Sequence, residues 1–289
     1  MAPPFPYKGM TRAELDASYN NRAAVADFEG LMRSYRARSD ALYAATPGQR
    51  NLRYGRGERQ TYDLLHSGQA DAPILVFIHG GYWQSATKED FAFCAAGPLA
   101  HGYDVVLVEY TLAPEATMTR IVQEIGALLD HLAAKEADRG RKARIVLTGH
   151  SAGGHLAALH RAHPAVGAVL AISGLYDLLP ISLTWLNDAL QLTAAEIASC
   201  SPSQRIGPGA PMIISVGAKE LAGLSSQSRE YAEGCRKAGE AISALELPGC
   251  DHFGVLDDLA DASGRQLAAL AKLVGPQVSA PFGTGRPTV

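Results

Sequence analysis

The sequence predicts an α/β protein, a mostly parallel sheet flanked by helices. Three observations carry that expectation. Short apolar runs rich in β-branched residues recur at Ile74–Ile78, Val105–Glu109, Ile145–Leu147 and Val166–Ile172, each of buried-strand length. Between the second and third, Ile121, Ile125, Leu128, Leu129 and Leu132 fall on one helical face. Strands alternating with helices at this pitch build βαβ units, whose strands run parallel.

Taken in order, residues 1–10 are Pro-rich and read as an extended arm. From Thr11 to about Ala45 the chain is helical in character. Tyr19, Asn20, Asn21 and Arg22 form a polar knot, followed by Val25, Phe28, Leu31, Met32 and Tyr35 at helical spacing. This arm precedes the first strands, so it must pack outside the sheet or over its end. Asn51–Gly57 reads as a short strand and turn, and Gln60–Leu65 as an early edge strand. The four buried strands follow. Met212–Val216 and Ile242–Leu247 add two more, with a helix over Gln227–Ala238 between them, and a last helix covers about Leu256–Leu273. Residues 175–210 contain no strand, which is long for a connection. They are expected to form a small cap between the sixth and seventh strands. The Pro-containing tail, 276–289, is expected to be disordered. With no internal repeat and no linker, residues 1–289 read as one domain plus the cap.

Composition narrows the function. Of 289 residues, 47% are hydrophobic, enough for a sizeable core. A net charge of −3 offers no electrostatic case for nucleic acid or an anionic membrane. The N-terminus lacks the apolar segment of a secretory signal, and no apolar run is long enough to span a bilayer. Cys94, Cys200, Cys235 and Cys250 are scattered without C-x-x-C spacing. Reduced thiols in the cytoplasm are the simplest expectation.

The chemistry centres on Gly149-His150-Ser151-Ala152-Gly153. A G-x-S-x-G between a strand and a helix lifts the serine hydroxyl on a sharp turn and aims helix N-terminal N–H groups at developing charge. A serine nucleophile needs a base, the base needs an orienting acid, and the oxyanion needs fixed donors. In an α/β-hydrolase the order is Ser, then Asp or Glu, then His. His252 follows the last strand in a Gly-containing loop and is the only histidine after His163. Glu220 is the first carboxylate after the strand Met212–Val216; Asp177, after the preceding strand, is its rival for the acid. Asp251 is expected to point elsewhere. His79-Gly80-Gly81-Tyr82-Trp83 ends the first buried strand. Its paired glycines let backbone N–H groups approach a substrate oxygen, so Gly81 or Tyr82 is expected to act with Ala152 as the oxyanion hole. His79 is expected to hold that loop. His150, His155, His160 and His163 cluster near the elbow helix, but no carboxylate completes a set at metal-ligand spacing. No metal or cofactor is expected.

HGGYW, GHSAGGH and PGCDHF together resemble the arylformamidase (kynurenine formamidase) branch of the α/β-hydrolase superfamily, near the hormone-sensitive-lipase-like esterases. Tyr19-Asn20-Asn21-Arg22, Ser173–Asp177 and Leu186-Asn187-Asp188 resemble further stretches of that family. Glu220 stands where the family usually has its catalytic Asp. The resemblance implies an α/β-hydrolase fold, a small aromatic substrate such as N-formylkynurenine, a place in tryptophan catabolism, and a homodimer. It places Trp83 near that substrate, and Tyr82, Trp83, Trp185 and Phe253 become an expected aromatic wall. The alternative is a carboxylesterase or aryl amidase acting on another small aryl substrate.

Overall fold

The computed structural model describes residues 7–275. The first six residues of the Pro-rich arm and the tail expected to be disordered lie outside them. Eight strands form one sheet: β1 (Gly48–Arg53), β2 (Thr61–Leu65), β3 (Ile74–Ile78), β4 (Asp104–Val108), β5 (Ile145–His150), β6 (Val166–Ile172), β7 (Met212–Gly217) and β8 (Ile242–Leu247), in the order β1-β2-β4-β3-β5-β6-β7-β8. β1 and β2, and β2 and β4, are antiparallel; every other pair is parallel. The helices are α1 (Arg12–Ala17), α2 (Phe28–Ala45), α3 (Ala96–Ala100), α4 (Met118–Asp138), α5 (Ala152–Leu159), α6 (Leu179–Ser182), α7 (Asn187–Leu190), α8 (Ala194–Cys200), α9 (Ala222–Lys237), α10 (Gly254–Ala260) and α11 (Arg265–Val274).

Side chains alternate across the sheet and feed two cores. Val76 and Ile78 of β3 enter one with α4, α5 and α9, whereas Leu75 and Phe77 enter the other with α2, α10 and α11. All five residues of the α4 stripe are buried in the first core. At about 2 kcal/mol per fully buried aliphatic side chain, packing holds this helix more firmly than its propensity does.

Four boundaries differ from the sequence reading. β2 is not the edge: β1 pairs outside it, and β1 is largely exposed. The arm is two helices, because Asn20 Oδ1 accepts from Ala23 N and Asp27 caps α2 through Gly30 N. The last helix breaks at 261–264, where Asp258 accepts from Arg265 N and Gln266 N and starts α11. α9 begins at Ala222, five residues earlier than expected, directly after Leu221.

Topology selects the place for chemistry. From β3 the chain passes to β4 on one side and then returns to β5 on the other. At such a switch point the loops after the two strands diverge and leave a crevice beyond their carboxyl ends. HGGYW follows β3 and Ser151 follows β5.

Candidate active site

Ser151 joins β5 to α5 with φ 55° and ψ −117°, a conformation that residues with a Cβ avoid. Neighbouring bonds hold it there: Ser151 N donates to Ile172 O at 2.8 Å, and His155 N to Ser151 O at 3.0 Å. The elbow is so tight that a Cβ on Gly149 would lie 2.2 Å from Gly153 O, and one on Gly153 would lie 2.0 Å from Ile78 O. The G-x-S-x-G spacing is thus a steric requirement of this turn. Ser151 is only 2% exposed and His252 6%.

The residues expected as acid and base come from neighbouring loops. His252 Nδ1 donates to Glu220 Oε2 at 2.9 Å, and the Glu220 side chain is fully buried. Glu220 Oε1 accepts a short hydrogen bond from Ser173 Oγ. With Nδ1 donating, Nε2 of His252 keeps the lone pair that a base needs. His150 Nε2 donates to His252 O at 2.7 Å and ties this loop to the elbow. Burial, and then the adjacent His252, push the His150 pKa well below its usual value, so it is a neutral strut. Asp177 does not reach His252. Its Oδ1 accepts from Leu179 N at 2.9 Å, a local turn bond at the start of α6. Asp251 Oδ1 is occupied by Phe253 N and Gly254 N.

On the other side of Ser151, three consecutive residues are left-handed: Gly81 (φ 102°), Tyr82 (φ 51°) and Trp83 (φ 59°). A Cβ on Gly81 would lie 2.2 Å from Ser85 O. Among the described residues, no backbone carbonyl accepts from the N–H of Gly81, Tyr82 or Ala152. His79 places Nδ1 2.7 Å from Gly80 O and Nε2 3.2 Å from Glu109 Oε1, which ties the loop to the end of β4. Burial pushes Glu109 up, but the His79 hydrogen bond and the charges of His79 and Arg59 outweigh it and hold the carboxyl below its usual value.

The arm and the segment between β6 and β7 close over this loop. Tyr82 Oη donates to Tyr19 O at 2.5 Å and accepts from Asn21 Nδ2 at 2.9 Å. Gln84 Nε2 donates to Leu186 O at 2.7 Å, and Trp185 N to Asp16 Oδ1 at 3.2 Å. Buried Gln227 of α9 joins the arm to that segment, accepting from Tyr176 N and Asp177 N and donating to Tyr19 Oη. The functional interest of Ser173, His150 and Gln227 was not visible in the sequence. Their partners are 47, 102 and up to 208 residues away.

The expected aromatic wall does not form as a unit. Trp83 is 0% exposed and packs edge-on against His155 in the first core. Phe253 is 9% exposed and packs on Phe28 in the second core, on the opposite face of the sheet. The loops after β3 and β8 send these two rings to different faces of the sheet, so four aromatics near one site need not share a surface. Tyr82 and Trp185 alone remain half-buried against the first core. A groove of about 410 Å³ runs along Asn20, Arg22, Val25, Asp27, Phe28 and Glu29. It contains neither Ser151 nor His252; Phe28 and Phe253 stand between it and His252.

Residues 63–168 match the family model BD-FAE. The kynurenine formamidase of Salmo salar is 29% identical over 243 residues, 78% of this chain and 81% of that protein. That of Danio rerio is 26% identical over 93% of this chain and 98% of its own. An esterase of Mycobacterium tuberculosis is 25% identical over 72% of this chain and 60% of that protein. Among solved structures, a Silicibacter protein described as a candidate thioesterase superposes with a TM-score of 0.78 at 28% identity, covering 88% of this chain and 98% of that one. A thermostable carboxylesterase from a metagenomic library gives a TM-score of 0.67 at 21% identity, over 86% and 96% of the two chains, a likeness of fold. No helix among the described residues is long and apolar enough to cross a membrane.

Proposed function

We propose that this chain, a serine hydrolase of the α/β-hydrolase fold, deformylates aryl formamides such as N-formyl-L-kynurenine through a Ser151–His252–Glu220 triad. The observation that carries the reading is the 2.9 Å bond from His252 to a fully buried Glu220, set in the loop beside a strained Ser151. The likeness to kynurenine formamidases along most of the chain supports the substrate class.

In this mechanism Ser151 Oγ attacks the formyl carbon while His252 Nε2 takes its proton. The carbonyl electrons move onto oxygen, and the N–H groups of Ala152 and of Gly81 or Tyr82 donate hydrogen bonds to the resulting oxyanion. Collapse of the tetrahedral intermediate breaks the C–N bond, and His252 returns the proton to the leaving arylamine. Water, deprotonated by the same imidazole, then releases formate and restores the serine. Glu220 stabilises the imidazolium formed in each half and holds the ring in its working tautomer. Each oxyanion donor is worth about 3–4 kcal/mol in such a step.

The direct test is kcat/KM for N-formyl-L-kynurenine beside p-nitrophenyl acetate, with Ser151→Ala as the blank. A ratio strongly favouring the formamide supports the reading. Preference for the ester with negligible deformylation overturns the substrate assignment and favours a carboxylesterase, in line with the esterase relative. Ser151→Ala should also lose labelling by a fluorophosphonate; labelling elsewhere in that variant would remove Ser151 as nucleophile.

A further inference from the structure

His79 faces acceptors on both ring nitrogens. Nδ1 stands 2.7 Å from Gly80 O, a carbonyl oxygen that can only accept, so Nδ1 carries a proton. Nε2 stands 3.2 Å from Glu109 Oε1. That carboxyl group is otherwise met by donors: Arg59 Nη2 at 2.5 Å and Tyr110 N at 3.1 Å on Oε1, and Lys88 N at 3.2 Å on Oε2. The Arg59 guanidinium, pinned by Tyr110 O and Ala86 O, favours the ionised carboxylate. The proton between Glu109 and His79 therefore resides on Nε2, and the ring is an imidazolium. Its side chain is fully buried. A buried charge is tolerated when it is paired and hydrogen-bonded, and both conditions hold here. The ring also stacks on Tyr110, with centroids 4.6 Å apart and planes 14° apart, and an aromatic face attracts a cation.

The charge meets the chemistry through one amide. Gly80 O and Gly81 N–H belong to the same peptide group, which is trans, so the N–H points away from the His79 ring. No backbone carbonyl among the described residues accepts from it. A Cβ on Gly80 would lie 3.1 Å from Ser151 Cβ, so this peptide sits directly on the nucleophile elbow. A charged donor on a carbonyl oxygen polarises the amide and strengthens its N–H as a donor. Resting on the oxyanion hole proposed above, we propose that His79 is a buried imidazolium, held by Glu109, which orients and polarises the Gly80–Gly81 amide toward the oxyanion. His79 is thereby a positioning residue whose charge, and not only its shape, contributes to the rate.

The test reads the ring directly. Heteronuclear NMR of the imidazole nitrogens is recorded on histidine-labelled wild type at about pH 8, where an unpaired histidine is neutral. The His79 ring is assigned through its contacts with Tyr110. Both nitrogens should carry protons. An unprotonated nitrogen in an active enzyme overturns the inference without any variant and leaves the hydrolase reading intact. His79→Asn keeps an amide N–H near the Nδ1 position without the charge, and Glu109→Gln removes the partner carboxylate. Circular dichroism and thermal melting confirm that each variant is folded. In both, kcat for the faster of N-formyl-L-kynurenine and p-nitrophenyl acetate should fall about tenfold with KM little changed, the difference between a charged and a neutral hydrogen bond. Affinity for trifluoroacetophenone, whose adduct with Ser151 carries an oxyanion, should fall by a similar factor. In Glu109→Gln the His79 ring should also lose its Nε2 proton. Unchanged kcat and ketone affinity in His79→Asn, or losses confined to KM, overturn the role of the charge. A wild type that neither hydrolyses these substrates nor binds the ketone sinks the hydrolase reading and this inference with it.

Discussion

Shortening Glu220 by one methylene tests the proposed triad at its least ordinary member. In Glu220→Asp the carboxylate retreats by roughly 1.3 Å along the side-chain axis, given a C–C bond of about 1.5 Å. The 2.9 Å bond to His252 Nδ1 then opens past the hydrogen-bonding limit. Ser173 Oγ loses its acceptor at the same time. The side chain is fully buried, so water does not readily replace either partner. One charge-assisted bond to the imidazolium is worth about 1.5–3 kcal/mol, and each 1.36 kcal/mol is tenfold in rate. The expected loss is therefore roughly 10–150-fold in kcat, with KM little changed because the bond strengthens as His252 becomes charged. Glu220→Ala should lose more, toward the roughly 10⁴-fold seen when a triad acid stops orienting its histidine. The assay is steady-state hydrolysis of p-nitrophenyl acetate and N-formyl-L-kynurenine, with Asp177→Asn as control. Asp177 bonds its own turn, so that variant should stay within about twofold of wild type. Glu220→Asp at wild-type rate, or a large loss in Asp177→Asn, would refute the assignment of the acid.

Gly153→Ala should prevent folding or lower the melting temperature sharply, because its Cβ would meet Ile78 O at 2.0 Å; overpacking of this kind costs about 1–3 kcal/mol or more. Gly167→Ala, whose Cβ would find its nearest atom at 3.6 Å, should melt like wild type, and equal melting of the two variants would contradict the elbow geometry. His155 is buried and its pKa is lowered by burial to about 4, so the unfolded state binds its proton first as pH falls. Its contribution is present above the unfolded pKa of about 6.5 and is lost as pH drops toward 4, about 2 kcal/mol between pH 7 and pH 5. Denaturant melts should show that slope in wild type and a shallower one in His155→Gln; parallel slopes would contradict it. Trp83→Ala removes a fully buried ring, so stability should fall by about 3–5 kcal/mol. Trp185→Ala, at a half-buried ring, should instead alter the ratio of aryl to alkyl ester rates with a small change in melting temperature, and the reverse pattern would restore Trp83 to the substrate wall.

What the sequence by itself determined was local. The strands show as β-branched runs, and α4 as a 3.6-residue stripe. The elbow and the HGGYW loop show because their backbone geometry excludes side chains at fixed offsets, as the close approaches at Gly149, Gly153 and Gly81 make plain. The loop positions of Glu220 and His252 after β7 and β8 followed from strand order alone. Tertiary structure decided everything that depends on two distant segments meeting. Glu220 rather than Asp177 bonds His252, because side-chain direction after a strand is set by the packed loop and not by residue type. Trp83 and Phe253 went to opposite cores, since the face a residue enters depends on which helices cover it. Asn21 met Tyr82 only because the arm folds back across the carboxyl end of the sheet, a contact spanning 61 residues. Hydrophobic periodicity records that a segment is buried, but burial has no direction along the chain. The partner is chosen by packing, which no local pattern encodes.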